Sequence, residues 1–243
     1  MRRIHDDTVV FIPAWNEEEN LPAVLDELAH GLPGVSLIVI DDGSADRTAE
    51  VAREHGAAVV SFGENRGLRA GIAAGYAEAM KRGYAFCGRV DADGQHPVAE
   101  LERLLDLVWS DDCDVAIGSR FAVDEEYSHD RYRPSAARRF GIALLQAAMR
   151  LRLGRSFRDP TSGMIAANAA AMPVLAEPYN SGAPEVEALM RLRQDGLRVE
   201  EVAVDMRPRA SGESKLQGRK AVALVATVIT TLVLFNLRRR RHA

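Results

Sequence analysis

The sequence RVDADGQHP at residues 89–97 places two acidic residues, Asp91 and Asp93, directly after an apolar segment. That segment, residues 84–90, predicts a buried strand. Side chains two positions apart on an extended backbone point the same way, so both carboxylates can bind one cation, with the Gln95 amide oxygen as a third ligand. Oxygen ligands suit Mg²⁺ or Mn²⁺, which keep positions open for water and phosphate oxygens. An isolated Asp-x-Asp is more often a solvated acidic turn, so the interpretation depends on the rest of the chain.

Strand and helix patterns alternate through the first half of the chain. Apolar runs predict strands at residues 9–12, 37–40, 57–62, 84–90 and 114–117. Helical spacing predicts helices at residues 21–31, 46–54, 69–81 and 97–109. The alternation predicts an α/β fold with a mostly parallel central sheet and helices on both faces. Beyond residue 120 we expect a loop at 124–134, a helix at 135–151, a short strand near Ile165, a helix at 184–195 and a strand at 199–206.

Composition and charge narrow the class of protein. The chain has 243 residues, of which 47% are hydrophobic and 27% charged, as expected for one large globular domain. A net charge of only -4 gives no electrostatic support for nucleic-acid binding. Cys87 and Cys113 lie in or beside apolar runs, which favours core thiols in a reducing compartment over a disulfide. Residues 1–7 lack the pattern of a signal peptide, so we expect a cytoplasmic protein.

The end of the chain differs from the rest. Residues 221–237 are nearly all apolar, and they lie between Arg219-Lys220 and the arginines at 238–241. At about 17 residues the run is at the lower limit for crossing a bilayer. We expect residues 1–217 to form the globular domain. We expect residues 218–243 to form an apolar helix that associates with the anionic cytoplasmic membrane surface. The alternative is a helix buried in a homo-oligomer interface.

Polar clusters follow each of the first five predicted strands, at residues 13–20, 41–48, 63–67, 91–95 and 118–120. Open parallel sheets bind ligands beyond the carboxyl ends of their strands, so five polar ends at one edge predict a binding site. Each cluster also has a simpler interpretation. Asp46 and Thr48 can cap a helix, Gly43 and Gly67 can permit tight turns, and Trp15 can belong to the core instead of stacking on a nucleobase.

These clusters resemble, in their order, the motifs of family 2 glycosyltransferases. They are PAWNEE at 13–18, DDGS at 41–44, NRG at 65–67, DADGQHP at 91–97 and GSR at 118–120. DPTSG at 159–163 and RASGESK at 209–215 resemble the dolichyl- or polyprenyl-phosphate mannose synthase branch. The resemblance covers residues 8–216. It implies a GT-A fold, a GDP- or UDP-sugar donor, a divalent metal and an inverting transfer.

The resemblance also implies roles for single residues. It implies nucleoside or donor contacts at Pro13, Trp15, Glu17, Asp42, Asn65 and Gly67. It implies that Asp91, Asp93 and Gln95 hold the metal on the donor diphosphate. It implies phosphate contacts at Arg120, Arg209, Ser214 and Lys215. The chain departs from the family with Trp15 in place of the usual Tyr and with Gly94 in place of a larger apolar residue. The PEVE sequence at 184–187 resembles bacterial surface-glycan transferases and leaves the acceptor open.

Two acceptors are compatible with these motifs. A polyprenyl phosphate is largely ionised at neutral pH and needs no base, and Arg209 and Lys215 would position it. A hydroxyl of a glycan or lipid-linked sugar needs a carboxylate to accept its proton. Asp159, Glu185 and Glu187 are the candidates, and each can equally be a structural ion-pair partner. We expect the lipid phosphate because of the 209–215 motif and the apolar tail.

Other classes fit less well. A sugar-nucleotide pyrophosphorylase needs a glycine-rich loop after the first strand, and residues 13–20 contain no glycine. A Rossmann dehydrogenase needs Gly-x-Gly-x-x-Gly at the same place. The non-enzyme alternative is an inactive, membrane-bound scaffold of GT-A shape, against which the intact Asp91, Asp93 and Arg120 argue.

Overall fold

The protein is built around one seven-stranded sheet. The computed structural model describes residues 4–122, 143, 146–147, 149–151, 154–207, 227 and 230. The strands are β1 (Thr8–Ala14), β2 (Ser36–Asp41), β3 (Ala58–Ser61), β4 (Phe86–Arg89), β5 (Val115–Ser119), β6 (Ile165–Asn168) and β7 (Val199–Ala203). The helices are α1 (Leu21–Gly31), α2 (Thr48–Glu54), α3 (Leu68–Lys81), α4 (Val98–Trp109), α5 (Met172–Leu175) and α6 (Pro184–Gln194), after a 3₁₀ turn at Ile4–Asp7.

The strand order is β3-β2-β1-β4-β6-β5-β7. β1, β2, β3 and β4 pair in parallel, and β7 is parallel to β5. β6 is antiparallel to both β4 and β5, so β5 runs in the same direction as β4. Six strands therefore end at one edge of the sheet, and β6 begins there. The predicted α/β fold with a mostly parallel sheet is confirmed.

Helices pack on both faces of the sheet and enclose two apolar cores. On one face, α3 approaches β1 so closely that a Cβ on Gly75 would overlap the ring of Phe11. On the other face, Leu101 and Leu105 of α4 belong to the same buried apolar cluster as Ile12 of β1. Cys87 and Cys113 are buried free thiols, as predicted. The sheet is thus a rigid base for the loops at its edge.

The predicted elements within the described residues are found with small shifts at their ends, and α5 was not predicted. One premise was wrong. β4 ends at Arg89, and residues 92–93 form a turn, so the two acidic residues do not lie on one extended strand. The predicted loop at 124–134, most of the helix at 135–151 and the domain boundary at residue 217 lie outside the described residues. Among the residues that are described, no helix is long and apolar enough to cross a membrane.

Candidate active site

The loops after β1 and β2 are joined by hydrogen bonds in both directions. Backbone amides of the first loop donate to side chains of the second: Asn16 N–H to Ser44 Oγ (3.0 Å), Glu17 N–H to Thr48 Oγ1 (2.8 Å) and Glu18 N–H to Asp46 Oδ2 (3.2 Å). In return, Ala45 N–H donates to Asn16 Oδ1, and Arg47 N–H donates to Glu18 Oε2. Asn16 has a positive φ of 54°, which aims its side chain at the second loop. Asp46 and Thr48 therefore bind the two loops together, a larger role than a helix cap.

Asp42 holds the loop after β3. Its Oδ1 accepts a hydrogen bond from Arg66 N–H at 2.6 Å, and its Oδ2 accepts one from Gly67 N–H at 2.8 Å. The loop after β2 and the loop after β3 touch at Gly43, which has a φ of +68°. They are so close that a Cβ at Gly43 would overlap the Glu64 backbone. The buried Asp42 carboxylate thus fixes the backbone on which Asn65 and Gly67 lie. Its predicted contact with a nucleoside stays a prediction, as do those of Asn65 and Gly67.

Three further residues predicted to contact the nucleoside lie at the end of β1. Pro13 is buried within the strand and faces Gly71 of α3. Trp15 is 47% exposed in the loop that follows, so it does not belong to the core. Glu17 accepts a hydrogen bond from Asn20 Nδ2 at 2.8 Å. An exposed indole on a hydrogen-bonded loop is a rigid surface on which a flat ring can stack.

Asp91 lies in the turn after β4, and neighbouring side chains hold it from several sides. Its N–H donates to His96 Nδ1 at 3.0 Å, so the imidazole carries its proton on Nε2, which lies 3.9 Å from Asp91 Oδ2. Its Oδ1 is 3.5 Å from Arg89 Nη2. The backbone at Gly163, just before β6, lies against the same carboxylate, because a Cβ there would overlap Asp91 Oδ2. These contacts limit the orientations that the carboxylate can adopt.

The groups beside Asp91 have shifted pKa values. Burial lowers the pKa of His96, which keeps the imidazole neutral. Burial opposes the charge on Arg89, but Asp91 and Glu185 more than offset it and raise the pKa of this guanidinium. Burial raises the pKa of Glu185, and Arg89 acts in the opposite direction. Arg89 Nη2 donates to Glu185 Oε1 at 3.1 Å, so α6 reaches the site through this pair.

Asp93 and Gln95 connect the site to the end of β7. Asp93 is buried, and its Oδ1 accepts a hydrogen bond from Gln95 N–H at 3.1 Å. Gln95 Nε2 donates to the Arg207 carbonyl at 3.3 Å, and Arg207 N–H donates to the Gln95 carbonyl at 2.9 Å. The Arg207 guanidinium forms a two-point ion pair with Glu27 of α1, which lowers the pKa of Glu27. The segment that continues beyond residue 207 therefore starts beside the two aspartates.

The donor set here fits Mg²⁺ or Mn²⁺. Asp91 and Asp93 offer carboxylate oxygens, and Gln95 uses its amide nitrogen for Arg207, which leaves the amide oxygen as a ligand. In the part of the chain that is described, no group of three or more His, Cys, Asp or Glu side chains forms a closed metal cage. Mg²⁺ is usually bound by one or two carboxylates, with water and substrate phosphate oxygens completing its shell. An open site of this kind fits a cation that arrives with a diphosphate.

Arg120 and Asp159 form a two-point ion pair at the end of β5. Arg120 donates to Asp159 through Nε at 2.6 Å and Nη2 at 2.8 Å, and its backbone N–H adds a third bond. The Asp159 carboxylate is buried and its charge is compensated. Arg120 also fixes Asp159 at the start of the DPTSG loop. The predicted phosphate contact of Arg120 stays a prediction, and the pairing argues against Asp159 as a free base.

Glu187 has a structural environment that does not fit the predicted catalytic role. Its carboxylate is 2% exposed and accepts hydrogen bonds from Asn180 N–H, Ser181 N–H and Arg191 Nη2. The arginine in turn donates to the carbonyls of residues 177 and 178. All of these partners are groups of the protein's own loop 177–181 and of α6. We therefore revise the expectation: Glu187 anchors the loop before α6.

Several predicted residues cannot be located. Arg209, Ser214 and Lys215 lie outside the described residues, and so does nearly all of the tail at 218–243. Of that tail, Thr227 and Thr230 are described, and both are helical. A Cβ on Gly182 would lie 2.6 Å from Thr227 Cγ2, so Thr227 packs on the loop before α6.

Sequence reasoning gave no role to Arg89, His96 or the Arg207–Glu27 pair. A signal existed for Arg89, because a charged residue inside an apolar strand is unusual and needs a partner. No such signal existed for the Arg207–Glu27 pair, whose members are separated by 180 positions.

Known proteins resemble the chain over most of its length. The pattern of glycosyl transferase family 2 matches residues 9–172. The polyprenol monophosphomannose synthase of Mycolicibacterium smegmatis is 32% identical over 234 residues, which are 90% of this chain and 85% of that protein. The undecaprenyl-phosphate mannosyltransferase of Micrococcus luteus is 29% identical over 218 residues, which are 86% of this chain and 87% of that protein.

Solved structures share the fold. Glucosyl-3-phosphoglycerate synthase from Mycobacterium tuberculosis in complex with phosphoglyceric acid has a TM-score of 0.67 and 22% identity, over 93% of this chain and 82% of that chain. The same enzyme in complex with Mn²⁺, UDP and glucosyl-3-phosphoglycerate has a TM-score of 0.63 and 20% identity, over 95% of this chain and 81% of that chain. The predicted GT-A fold is confirmed.

Proposed function

Because the chain belongs to glycosyl transferase family 2 and is a glycosyltransferase, we propose that it transfers a sugar from a nucleoside diphosphate sugar to a polyprenyl phosphate, with a divalent metal at Asp91 and Asp93. The donor set beside Gln95 supports the metal, since its oxygens leave room for a diphosphate. The names of the two mannosyltransferase relatives support the acceptor class. The Mn²⁺ and UDP bound by the M. tuberculosis enzyme are compatible with a divalent metal and a nucleoside diphosphate sugar donor.

One observation carries the choice between the two acceptors. Each carboxylate that we considered as a base is paired with an arginine: Asp159 with Arg120, Glu185 with Arg89 and Glu187 with Arg191. In each pair the guanidinium occupies a carboxylate oxygen that a substrate hydroxyl would otherwise have to reach in order to lose its proton. A hydroxyl acceptor needs such a base, whereas a phosphate monoester reacts in its ionised form. The three ion pairs therefore favour a phosphate acceptor.

In this mechanism a phosphate oxygen of the acceptor bonds to C1 of the sugar, the bond from C1 to the diphosphate breaks, and the configuration inverts. Trp15 and Asp42 orient the nucleoside. A bound divalent cation would neutralise the negative charge that develops on the leaving diphosphate. Arg120, Arg209, Ser214 and Lys215 contact phosphate oxygens through charge-assisted or hydroxyl hydrogen bonds.

We place the reaction at the cytoplasmic face of the membrane. The polyprenyl acceptor resides in the bilayer, and the apolar run at 221–237 with its basic end has the composition of a membrane-surface helix. In this proposal residues 1–217 are the catalytic domain, and residues 218–243 hold it near anionic lipid. A homo-oligomer contact made by the same helix is the competing role.

The test has two stages. Thermal unfolding of the full chain is measured with GDP- and UDP-sugars, with and without Mn²⁺, because a bound ligand raises stability by RT ln(1 + [L]/Kd). The donor that stabilises only with metal is then offered to vesicles containing undecaprenyl phosphate or, in parallel, a lipid-linked sugar. Transfer to the phosphate supports the proposal. Transfer only to the lipid-linked sugar would show that the acceptor is a sugar hydroxyl and not a polyprenyl phosphate. The absence of both stabilisation and transfer would favour an inactive scaffold.

A further inference from the structure

Arg89 is a fully charged group in the interior, next to the proposed metal site. It is 2% exposed at the end of β4, and its Nη2 lies 3.1 Å from Glu185 Oε1 and 3.5 Å from Asp91 Oδ1. Among the described residues, Arg89 Nε has no hydrogen-bond partner, and the buried Tyr76 hydroxyl also has none. The Arg89–Glu185 pair therefore lies in an apolar core with its hydrogen-bonding groups incompletely satisfied.

Such a pair is costly for folding. Burying two charges carries a large desolvation penalty before their attraction is counted, and apolar replacements of buried pairs are often neutral or stabilising. Each unsatisfied buried donor adds a further penalty. Stability alone is a weak reason to have an arginine at this position. Its contact with Asp91 offers a better one.

The charges explain why Glu185 is needed if Arg89 is present. Arg89 alone would pair with Asp91, cancel its charge and compete with a divalent cation for its oxygens. Glu185 compensates the charge of Arg89 through the shorter of the two contacts that Nη2 makes with a carboxylate. Asp91 then keeps a net negative charge, while the guanidinium still limits its orientation.

We propose that Glu185 is a positioning residue of the metal site that acts through Arg89. By balancing the charge of the buried guanidinium, it keeps the negative charge of the Asp91 carboxylate available to a divalent cation. This inference rests on the proposed function, because it presupposes a metal at Asp91. In this proposal Glu185 acts only through Arg89 and is not itself a ligand of the metal.

The test measures Mn²⁺ affinity and not turnover. Electron paramagnetic resonance follows free Mn²⁺ during titration of the full chain, in the presence of UDP and, separately, of GDP. Glu185→Gln leaves Arg89 uncompensated, so we expect the Mn²⁺ dissociation constant to rise about tenfold or more. In the double variant Arg89→Met with Glu185→Gln, both charges are gone, and we expect affinity within about threefold of the wild type. Glu185→Asp keeps the charge and should give a value close to the wild type.

Glu187→Gln is the matched control. Glu187 lies on the same helix in another buried glutamate–arginine pair, but that pair faces loop 177–181. Its loss should lower the thermal unfolding temperature without changing Mn²⁺ affinity. Any effect specific to Glu185 is then separated from general weakening of α6.

The outcomes are distinguishable. Unchanged Mn²⁺ affinity in a folded Glu185→Gln variant, or an equal loss in the double variant, would overturn the inference and leave the proposed function intact. If Glu185→Gln does not fold, the double variant decides, because a tenfold loss there contradicts the charge-balance argument. A wild type that binds no Mn²⁺ with either nucleotide would overturn the metal site together with this inference.

Discussion

Replacing Glu187 with glutamine removes one charge from a buried carboxylate, and we expect the protein to lose stability instead of catalytic rate. The carboxylate accepts hydrogen bonds from Ser181 N–H at 2.8 Å, from Asn180 N–H at 3.0 Å and from the Arg191 guanidinium. The amide of glutamine has one oxygen in place of two. Both backbone N–H groups donate to Oε2 and Arg191 donates to Oε1, so the NH₂ group faces either the two amides or the guanidinium, and in both cases Arg191 loses its closest anion.

The size of the loss follows from these contacts. A hydrogen bond to a charged group contributes about 1.5–3 kcal/mol, and breaking a buried ion pair typically costs about 3–5 kcal/mol. Arg191 retains its bonds to the carbonyls of Glu177 and Pro178, which limits the penalty. We expect the free energy of unfolding to fall by about 3 kcal/mol. For a domain of this size, that corresponds to a decrease of roughly 6–12 °C in unfolding temperature.

The assay combines thermal unfolding with initial rates of sugar transfer well below the variant's unfolding temperature. A structural role predicts a rate within a few-fold of the wild type and an unchanged pH profile. A general base predicts a loss of about 10²–10⁴ in rate and the disappearance of the acidic limb of the pH profile. A large loss of rate without a loss of stability would refute our reasoning and identify a hydroxyl acceptor.

Four further results are expected. Asp93→Asn should keep the unfolding temperature while metal-dependent turnover is lost, and wild-type turnover in excess EDTA would contradict the metal assignment. Arg209→Ala and Lys215→Ala should each weaken use of the lipid phosphate by about 1.5–3 kcal/mol, measured as kcat/KM for the acceptor. In a vesicle pelleting assay, a chain ending at Gln217 should no longer bind anionic vesicles, although it should still bind donor. If the full-length chain does not bind such vesicles either, the oligomer contact is favoured. Hydrogen bonds from a neighbouring arginine lower the pKa of Asp114 to about 2, so its stabilising effect should be present above about pH 4 and be lost as the pH falls toward 2. The difference in unfolding temperature between wild type and Asp114→Asn should accordingly shrink over that range.

The parallel part of the fold could be predicted because local patterns determine it. Apolar runs such as 37–40 and the helical spacing at 21–28 depend on neighbours along the chain, and the alternation of strands with helices fixes their direction. The antiparallel β6 could not be oriented from sequence. Its four residues, IAAN, carry no periodicity, and it pairs with strands on both sides in the reverse direction.

The site was predictable in its location but not in its pairings. The positions of Asp91 and Asp93 followed from the strand before them. The partner of Glu187 lies only four positions away, yet its role depends on the loop at 177–181, whose path is set by tertiary packing. Arg89 and Glu185 are 96 positions apart, and only the folded chain brings them together. Sequence motifs therefore indicated which residues are polar at the edge of the sheet, and the structure shows which of them hold loops in place.

The two hydrogen bonds between Gln95 and Arg207 have a thermodynamic consequence. They join the turn after β4 to the backbone after β7, so neither segment can shift without moving the other. A ligand that binds the first segment and immobilises it also reduces the conformational freedom of the second segment. The second segment therefore has less entropy to lose when it binds its own ligand. Thermodynamic reciprocity requires the same factor in the other direction. Donor and acceptor should consequently bind with positive cooperativity, each lowering the apparent dissociation constant of the other.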